Sequence, residues 1–112
     1  MKEEDELKLT NKFIIQMSHW LSINPAQLFN IHKDKGSISI GKDADFVIWN
    51  PNESCLIDLN NVYNKEPENS IYLHHTLQAS VVCTYLRGSL VYKKGEFLMK
   101  NGKVLRNNYN LS

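Results

Sequence analysis

Residues 35–50 constrain the fold of this chain more than any other stretch, because two apolar runs there flank a tight polar corner. Ile38 and Ile40 alternate with serines, which is the period of a half-buried strand. Gly41 supplies a residue that is free to adopt a positive φ at the corner. Residues 46–49 are continuously apolar and rich in β-branched and aromatic side chains, so they predict a strand covered on both faces. The stretch therefore predicts a strand, a turn and a buried strand.

The residues before this stretch carry the apolar spacing of helices. Large apolar side chains recur at i, i+1, i+4, i+7 and i+8 and form one stripe: Phe13, Ile14, Met17, Trp20 and Leu21. Thr10 is placed to cap this helix, which we expect to end near Ser22. Asn24 and Pro25 then predict the start of a second, short helix, because Asn caps well and Pro fits the first helical position. We expect the loop after it to end with Gly36 as the cap.

The residues after this stretch have the spacing of strands. From Ser80 onward, apolar segments are separated by glycine-containing turns at residues 87–88 and 93–95, and this spacing predicts a β-meander. Asn101-Gly102 is a strong signal for a two-residue hairpin turn. We therefore expect residues 104 and 105 to pair back across that turn.

Charge and composition argue against two common kinds of partner. Thirteen Lys and Arg against twelve Asp and Glu leave a net charge of +1, so no overall field draws the chain to nucleic acid or to a membrane. No apolar stretch is long enough to cross a bilayer, and we interpret the acidic run at residues 2–6 as a solvated terminus, not a signal peptide.

Cys55 and Cys83 have apolar neighbours and are expected to be reduced core residues of a soluble, cytoplasmic protein.

A search for catalytic groups finds no recognisable site in the sequence. His74 and His75 are adjacent, and adjacent residues of a strand point to opposite faces, so they are poorly placed to share a metal ion. Asp43 and Asp45 could act as paired acids, but beside Gly41 we interpret them as caps of backbone amides. The sequence has no glycine-rich phosphate loop and no nucleophile elbow. We therefore assign no catalytic, cofactor-binding or metal-ligating residue.

Several segments nevertheless resemble the C-terminal part of the cyclic amidohydrolases. They are Trp20-Leu21-Ser22-x-Asn24-Pro25-Ala26-x-Leu28, Lys35-Gly36-Ser37-Ile38 and Gly41-Lys42-Asp43-Ala44-Asp45-Phe46-Val47-Ile48-Trp49. Dihydropyrimidinases and dihydroorotases share the Lys-Gly and Asp-Ala-Asp elements. The first segment looks most like the allantoinases, as do two later ones, Thr84-Tyr85-Leu86-Arg87-Gly88 and Val91-Tyr92-x-x-Gly95-x-Phe97.

The resemblance implies an α+β fold with three regions. Residues 1–34 would be the last helices of a TIM-barrel amidohydrolase, residues 35–106 the C-terminal part of a composite antiparallel β-sandwich, and residues 107–112 a frayed tail. Enzymes of this family hydrolyse cyclic amides, the allantoinases converting allantoin to allantoate, at two zinc ions whose ligands lie upstream of the matched region. Barrel active sites lie at the C-terminal ends of the barrel strands, and the matched region contributes none of those strands.

The resemblance therefore implies a fragment that is inactive alone and holds no cofactor itself. Its partner would be the barrel portion of the same enzyme or another copy in a homo-oligomer. Without the remaining strands and the barrel wall, we expect unpaired sheet edges and an exposed apolar face. Two alternatives stay open. The chain could be a non-catalytic β-sandwich module for binding or oligomerisation, related to dihydropyrimidinase-like proteins, or one part of a split enzyme completed by a separate barrel chain.

Overall fold

The computed structural model describes residues 3–106, which fall into two units. One unit contains residues 3–43 and 102–106, and the other contains residues 44–101. Helices form in the first and antiparallel strands in the second, so the chain is α+β as predicted. Within the described residues, no helix has both the length and the apolar character needed to cross a bilayer. The assignments to barrel and sandwich stay predictions, and the expected frayed tail, residues 107–112, lies outside the described residues.

The first helix begins earlier than the sequence predicted. Helix α1 spans Glu3–Ser18, so Thr10 lies inside it instead of capping it. The first turn of α1 is acidic throughout: Glu3, Glu4, Asp5 and Glu6. Carboxylates in this position are stabilised by the positive end of the helix dipole. The acidic run therefore belongs to the helix, and its side chains are exposed, as expected for a solvated terminus.

The two predicted helices are joined without a break. The chain passes from α1 through a π-helical turn, His19–Ile23, into helix α2, Asn24–Leu28. Asn24 has helical dihedral angles, φ −62° and ψ −45°, so it does not cap a new helix, and its N–H binds the carbonyl of His19. Pro25 lies in the first turn of α2, as predicted. Because proline has no N–H to donate, a wider turn just before it accommodates the missing helical bond.

Helix α2 ends at Leu28 and is terminated by a left-handed asparagine, Asn30, instead of the predicted glycine cap. Asn30 has φ +55°, and its N–H binds the carbonyl of Gln27 at 3.1 Å. The next N–H, of Ile31, binds the carbonyl of Ala26 at 2.9 Å. These two bonds form a Schellman motif, in which Asn30 takes the left-handed position that glycine usually occupies. Gly36 also has a positive φ, +95°, but it lies further along the loop.

Ile38 and Ile40 do not lie in the strand that their alternation predicted. Their side chains are 83% and 107% exposed, and no described strand pairs with their backbone. Alternation produces a strand only where a second backbone is available for hydrogen bonding, and the described residues supply none here. The corner that follows is as predicted, because Gly41 has φ +88° and the N–H of Lys42 donates to the carbonyl of Ser39 at 3.1 Å.

Residues 44–101 form a four-stranded antiparallel sheet and a two-stranded sheet. The larger sheet has the strand order β1-β4-β5-β6, with β1 at Phe46–Asn50, β4 at Ser80–Leu86, β5 at Ser89–Lys93 and β6 at Glu96–Phe97. The smaller sheet pairs β2, Cys55–Leu56, with β3, Thr76–Leu77. The predicted meander is confirmed, since its two turns are two-residue loops with positive φ at both positions: Arg87-Gly88 and Lys94-Gly95.

Strand β1 is an edge strand and is not covered on both faces. Among the described strands it pairs with β4 alone, and Val47, Ile48 and Trp49 are all substantially exposed. The apolar composition correctly predicted that a strand forms here. Its burial was predicted wrongly, because burial depends on neighbouring elements that composition does not reveal.

The hairpin predicted at Asn101-Gly102 does not form. Residues 98–106 contain no strand, and Gly102 is not among the glycines with positive φ. The favoured two-residue hairpin turn needs positive φ at both of its central residues. The carbonyl of Asn101 instead accepts a hydrogen bond from the guanidinium of Arg87.

Few apolar side chains of the described residues are buried. Ala26 in α2 is 4% exposed and Cys83 in β4 is 9% exposed. Cys83 is thus a core residue as predicted, whereas Cys55 is half-buried, and both are free thiols. The apolar stripe on α1 and the turn after it is exposed in the described residues.

Candidate functional site

Two of the segments that carry the family resemblance are in direct contact. A Cβ placed on Gly36 would lie 2.6 Å from the Cβ of Ala26 and 3.1 Å from the carbonyl oxygen of Ser22. A Cβ contact of 2.6 Å is not compatible with any side chain, so only glycine lets the loop approach α2 this closely. The Lys-Gly and Asn-Pro-Ala elements are therefore two halves of one packing contact.

An ion pair holds the same loop a few residues further on. The Nζ of Lys35 lies 2.8 Å from Oδ2 of Asp43, and the Lys35 side chain is only 11% exposed. The Nζ of Lys42 donates to the carbonyl of Lys35 at 3.3 Å, and the N–H of Asp43 donates to the carbonyl of Asp34 at 2.9 Å. We call Ala26, Lys35, Gly36 and Asp43 the loop clasp. Its two charged side chains, Lys35 and Asp43, are held against each other as an ion pair.

The two aspartates of the Asp-Ala-Asp element make different contacts. Oδ1 of Asp45 accepts the N–H of Arg87 at 2.8 Å, and the carbonyl of Ala44 accepts the N–H of Gly88 at 3.0 Å. Asp45 therefore caps a backbone amide, as predicted, and fixes the β4–β5 turn. The same prediction for Asp43 was wrong, because its carboxylate pairs with the ammonium of Lys35. Both aspartates have structural contacts of different kinds.

The adjacent histidines contribute backbone hydrogen bonds to the two-stranded sheet. His74 has φ +66°, and its N–H donates to the carbonyl of Ile57 at 2.7 Å. The N–H of Ile57 donates in turn to the carbonyl of His75 at 2.9 Å. Both side chains are exposed. These bonds continue the pairing of β2 with β3, so the segment has a structural explanation that requires neither imidazole.

The described residues do not fit a metal centre. Within residues 3–106, no three side chains of His, Cys, Asp or Glu lie close enough together to hold an ion, whereas a protein zinc site uses three or four ligands. His19 and His32, the other two histidines, are both exposed. The two zinc ions that the resemblance implies have no ligand set in this part of the chain. We therefore derive no reaction step through a metal for these residues.

A shallow depression lies on α1 and the following turn, but it is not a closed site. Its lining residues are Lys8, Asn11, Lys12, Ile15, Gln16 and His19. All of them lie on one continuous helical segment, so the depression has no second wall. A small-molecule site normally encloses most of its ligand, and this surface does not.

An aromatic cluster lies on the sheet unit, formed by Tyr63, Tyr92 and Phe97. The ring of Tyr63 meets that of Phe97 edge-on, with centroids 4.8 Å apart, and the rings of Tyr92 and Phe97 are 5.4 Å apart. Desolvation and, to a smaller extent, a hydrogen bond with Tyr92 raise the pKa of the Tyr63 hydroxyl. The cluster packs the loop around Tyr63 onto β5 and β6. The raised pKa of Tyr63 leaves its phenolate form even less populated at neutral pH than that of a free tyrosine.

Residues 5–103 match the family model described as "Amidohydrolase family". The chain belongs to the amidohydrolase family. This amidohydrolase chain is 44% identical over 87 residues to "Probable allantoinase 2" of Dictyostelium discoideum, covering 78% of the chain and 17% of that protein. It is 37% identical over 82 residues to "Allantoinase" of Arabidopsis thaliana, covering 72% of the chain and 16% of that protein. The resemblance to the allantoinases is thereby confirmed.

Solved structures of related amidohydrolases share the fold of this chain. "Structure of D-hydantoinase" superposes with a TM-score of 0.69 at 29% identity, covering 80% of this chain and 20% of that one. "L-Hydantoinase (Dihydropyrimidinase) from Arthrobacter aurescens" gives a TM-score of 0.57 at 29% identity, covering 68% of this chain and 17% of that one. The amidohydrolase chain therefore spans a fifth or less of the length of these relatives.

Sequence reasoning missed the contacts of Arg87 in this amidohydrolase chain. The Arg87-Gly88 turn was recognised from its residues, but the backbone partner of Arg87 is Asp45 and its side-chain partner is Asn101. These partners are 42 and 14 residues away in sequence. Local spacing carries no signal for contacts over such separations.

Proposed function

We propose that this chain is the C-terminal portion of a metal-dependent cyclic amide hydrolase of the allantoinase type. The observation that carries the proposal is the match of residues 5–103 to the family, with 44% identity to a Dictyostelium allantoinase of which the chain covers 17%. The parent reaction would be hydrolysis of a ring amide, allantoin to allantoate. Its zinc ligands would lie in the part of the parent enzyme that this chain does not match.

In this proposal the chain contributes structural support. The apolar stripe with Phe13, Trp20 and Leu21 would pack on the barrel portion of the same enzyme. The edge of β1 that pairs with no described strand would pair with another strand of a composite sandwich. The exposure of these apolar side chains supports the proposed packing. Leaving a large apolar face in water is unfavourable by about 25 cal/mol per Å². A homo-oligomer is the other partner to which this face could bind.

The loop clasp has a defined task in this arrangement. Gly36 against Ala26, and Lys35 against Asp43, fix the course of the chain as it leaves α2. A connection held by packing and an ion pair can transmit a fixed geometry, which a flexible loop cannot. We propose that this explains why the family motifs Asn-Pro-Ala, Lys-Gly and Asp-Ala-Asp lie here, remote from any catalytic group.

A cytoplasmic location, consistent with the free thiols of Cys55 and Cys83, is part of the same proposal.

The purified chain tests whether these residues perform chemistry themselves. We expect no hydrolysis of allantoin, hydantoin or dihydropyrimidine above the buffer rate, with or without added zinc, because the described residues provide no ligand set. Hydrolysis that appeared with zinc and disappeared with a chelator would overturn the proposal that the chain is non-catalytic. Zinc content after dialysis provides a second readout, and we expect none bound in stoichiometric amount.

Exchange of segments between enzymes tests whether this chain influences the choice of ring. The matched segments of Arabidopsis allantoinase and of the D-hydantoinase from Ralstonia pickettii would each be replaced by residues 5–103. If the segment is scaffold, each hybrid keeps the substrate preference of its host. A D-hydantoinase hybrid that gained allantoin hydrolysis would contradict the scaffold role and assign ring selection to this chain.

A further inference from the structure

Among the asparagines of residues 3–106, Asn101 alone combines three properties. It is the one asparagine in the sequence that is followed by glycine. Its backbone carbonyl accepts a hydrogen bond from the guanidinium of Arg87. Its side-chain Oδ1 is buried, and no hydrogen bond from the described residues holds it.

We propose that Asn101 is a site of spontaneous deamidation and that Arg87 accelerates the reaction. The backbone nitrogen of Gly102 attacks Cγ of Asn101, forming a C–N bond, and the side-chain amide leaves as ammonia. Water then opens the resulting five-membered succinimide at one of its two carbonyls, giving aspartate or isoaspartate at position 101. The net reaction consumes one water and releases one ammonia, so it needs no oxidant, reductant or enzyme.

The contact with Arg87 promotes the slow part of this reaction. The nitrogen of Gly102 becomes a nucleophile only after it loses its proton to solvent, and the resulting negative charge is delocalised onto the carbonyl oxygen of Asn101. The guanidinium of Arg87 binds that same oxygen. A cation that donates a hydrogen bond to this oxygen stabilises the negative charge that develops on it. Arg87 therefore stabilises the deprotonated Gly102 amide and makes the N–H of Gly102 more acidic.

The surroundings of Gly102 leave the attack unhindered. A Cβ placed at this residue would have no atom within 4 Å, and the residue is exposed. Its N–H makes no backbone hydrogen bond within residues 3–106. Residues 98–106 contain no strand, so no sheet ladder holds the dihedral angles that must rotate for ring closure.

Asn61 provides an internal control with the opposite properties. Its Nδ2 donates to the carbonyl of Leu56 at 2.6 Å, and its Oδ1 accepts the N–H of Asp58 at 2.9 Å. Both ends of this amide are held, and the residue that follows is Val62. The branched side chain of Val62 hinders approach of the Val62 backbone nitrogen to Cγ of Asn61. We expect Asn61 to keep its amide while Asn101 loses it.

The product changes both charge and chain length at this point. A carboxylate at position 101 would stand beside Arg87, and isoaspartate would add one methylene to the backbone between residues 101 and 102. This inference does not depend on the proposed function, because it concerns only the chemistry of the chain itself.

The test uses the full chain, incubated at neutral and mildly alkaline pH and sampled over days. Cleavage after Glu96 releases residues 97–112 for mass spectrometry, and fragmentation locates the converted residue. We expect Asn101 to convert first, and faster in the native chain than in urea, where the contact with Arg87 is lost. An Asn101 that stays intact, or that converts at least as fast in urea, would overturn the proposal.

Variants separate the contribution of Arg87 from that of the Asn-Gly sequence. We expect Arg87→Gln to slow native conversion by roughly tenfold or more, as loss of a charge-assisted hydrogen bond predicts, and to leave the rate in urea unchanged. Arg87→Lys keeps a cation and should retain part of the acceleration. If Arg87→Gln converts at the native wild-type rate while its circular dichroism is unchanged, Arg87 has no role. If the variant misfolds, the comparison of native and urea rates in the wild type still tests whether the folded structure accelerates the conversion of Asn101.

Discussion

Gly36 lies so close to Ala26 that a Cβ at position 36 would be 2.6 Å from the Ala26 Cβ. The backbone of Gly36 is also left-handed, with φ +95°. Two independent constraints, space and dihedral angle, therefore require glycine at this position. The contact joins the Asn-Pro-Ala and Lys-Gly elements, which the sequence shows only as separate motifs, into one structural feature.

Replacing Gly36 by alanine should destabilise the helical unit. The left-handed conformation alone costs about 1–2 kcal/mol for a residue with a Cβ, and overpacking against Ala26 adds about 1–3 kcal/mol. Gly41→Ala is the matched control, because Gly41 has φ +88° but no atom within 4 Å of its Cβ position. Urea unfolding followed by circular dichroism measures both variants. Equal losses in the two would show that packing against Ala26 contributes nothing.

A second substitution should rescue the Gly36 variant in part. Ala26→Gly removes the atom that the new Cβ meets, so the double variant should be more stable than the sum of the two single changes predicts. Rescue will be incomplete, since the carbonyl of Ser22 remains 3.1 Å from the added Cβ and glycine weakens a helix by about 1 kcal/mol. Strict additivity in the double-mutant cycle would argue against the contact.

Asp45 should matter more to stability than Asp43. Asp45→Ala leaves the N–H of Arg87 without the acceptor that it has at 2.8 Å, which costs about 1–3 kcal/mol if the amide stays dry. Asp45→Asn keeps an acceptor oxygen and should cost less. Asp43→Asn loses only the ion pair with Lys35, which is worth about 0–1 kcal/mol for a carboxylate that is 39% exposed.

Urea unfolding at low and high salt distinguishes these two aspartates. The effect of Asp43→Asn should shrink in high salt, because salt screens a partly exposed ion pair. The effect of Asp45→Ala should persist, because it arises from an unpaired backbone amide. An Asp45→Asn variant that is as unstable as Asp45→Ala would show that charge, not the hydrogen bond, is what the β4–β5 turn requires.

The sheet unit should lose stability at alkaline pH through Tyr63. Desolvation first, and the hydrogen bond with Tyr92 second, raise the pKa of Tyr63 in the folded state. A raised pKa favours the neutral hydroxyl, so its contribution to stability is complete below the unfolded value of about 10 and is lost as the pH rises through the higher folded value. The effect should be small, because Tyr63 is 55% exposed. Tyr63→Phe should flatten the decline in the urea midpoint above pH ~10, and an unchanged decline would exclude Tyr63 as its source.

Trp20 and Trp49 should respond differently to a soluble fluorescence quencher. Trp20 is 56% exposed on the apolar stripe and Trp49 is 36% exposed in β1. A Trp49→Phe variant, which reports Trp20 alone, should be quenched more than a Trp20→Phe variant, which reports Trp49. If Trp20 is the better protected of the two in the isolated chain, the stripe already has a partner, and self-association is then the first explanation to examine.

Sequence patterns predicted the elements whose determinants are local. The meander followed from the turn residues at 87–88 and 94–95, whose positive φ is a property of the turn itself. The position of Pro25 in the first turn of α2 was also predicted correctly, because proline's preference for that position is local. Asn101-Gly102 looked equally strong, but a turn signal needs a strand to pair across it, and residues 98–106 supply none. The strand expected at Ile38 and Ile40 failed because it too lacks a described partner.

The contacts of the candidate site were less predictable than the elements. Asp45 was identified as a capping residue because aspartate beside a glycine turn commonly binds a backbone amide. Asp43 has the same local setting, yet it pairs with Lys35, eight residues earlier in the chain. Asp43 pairs with Lys35, whereas Asp45 accepts an N–H from Arg87, 42 residues later in the chain, and no local pattern tells these two partners apart. The family of the chain, in contrast, was predicted correctly from the motifs alone.

In the proposed role, this chain supports an allantoinase active site without supplying any residue of it. Allantoin hydrolysis by "Probable allantoinase 2" of Dictyostelium discoideum, with its matched segment replaced by the aligned residues of this chain, measures this directly. We predict that the hybrid folds and keeps activity within about tenfold of the host, a loss of no more than about 1.4 kcal/mol in transition-state stabilisation. We also predict that Gly36→Leu in the hybrid abolishes folding. A hybrid that is soluble and loaded with zinc but inactive would contradict the account.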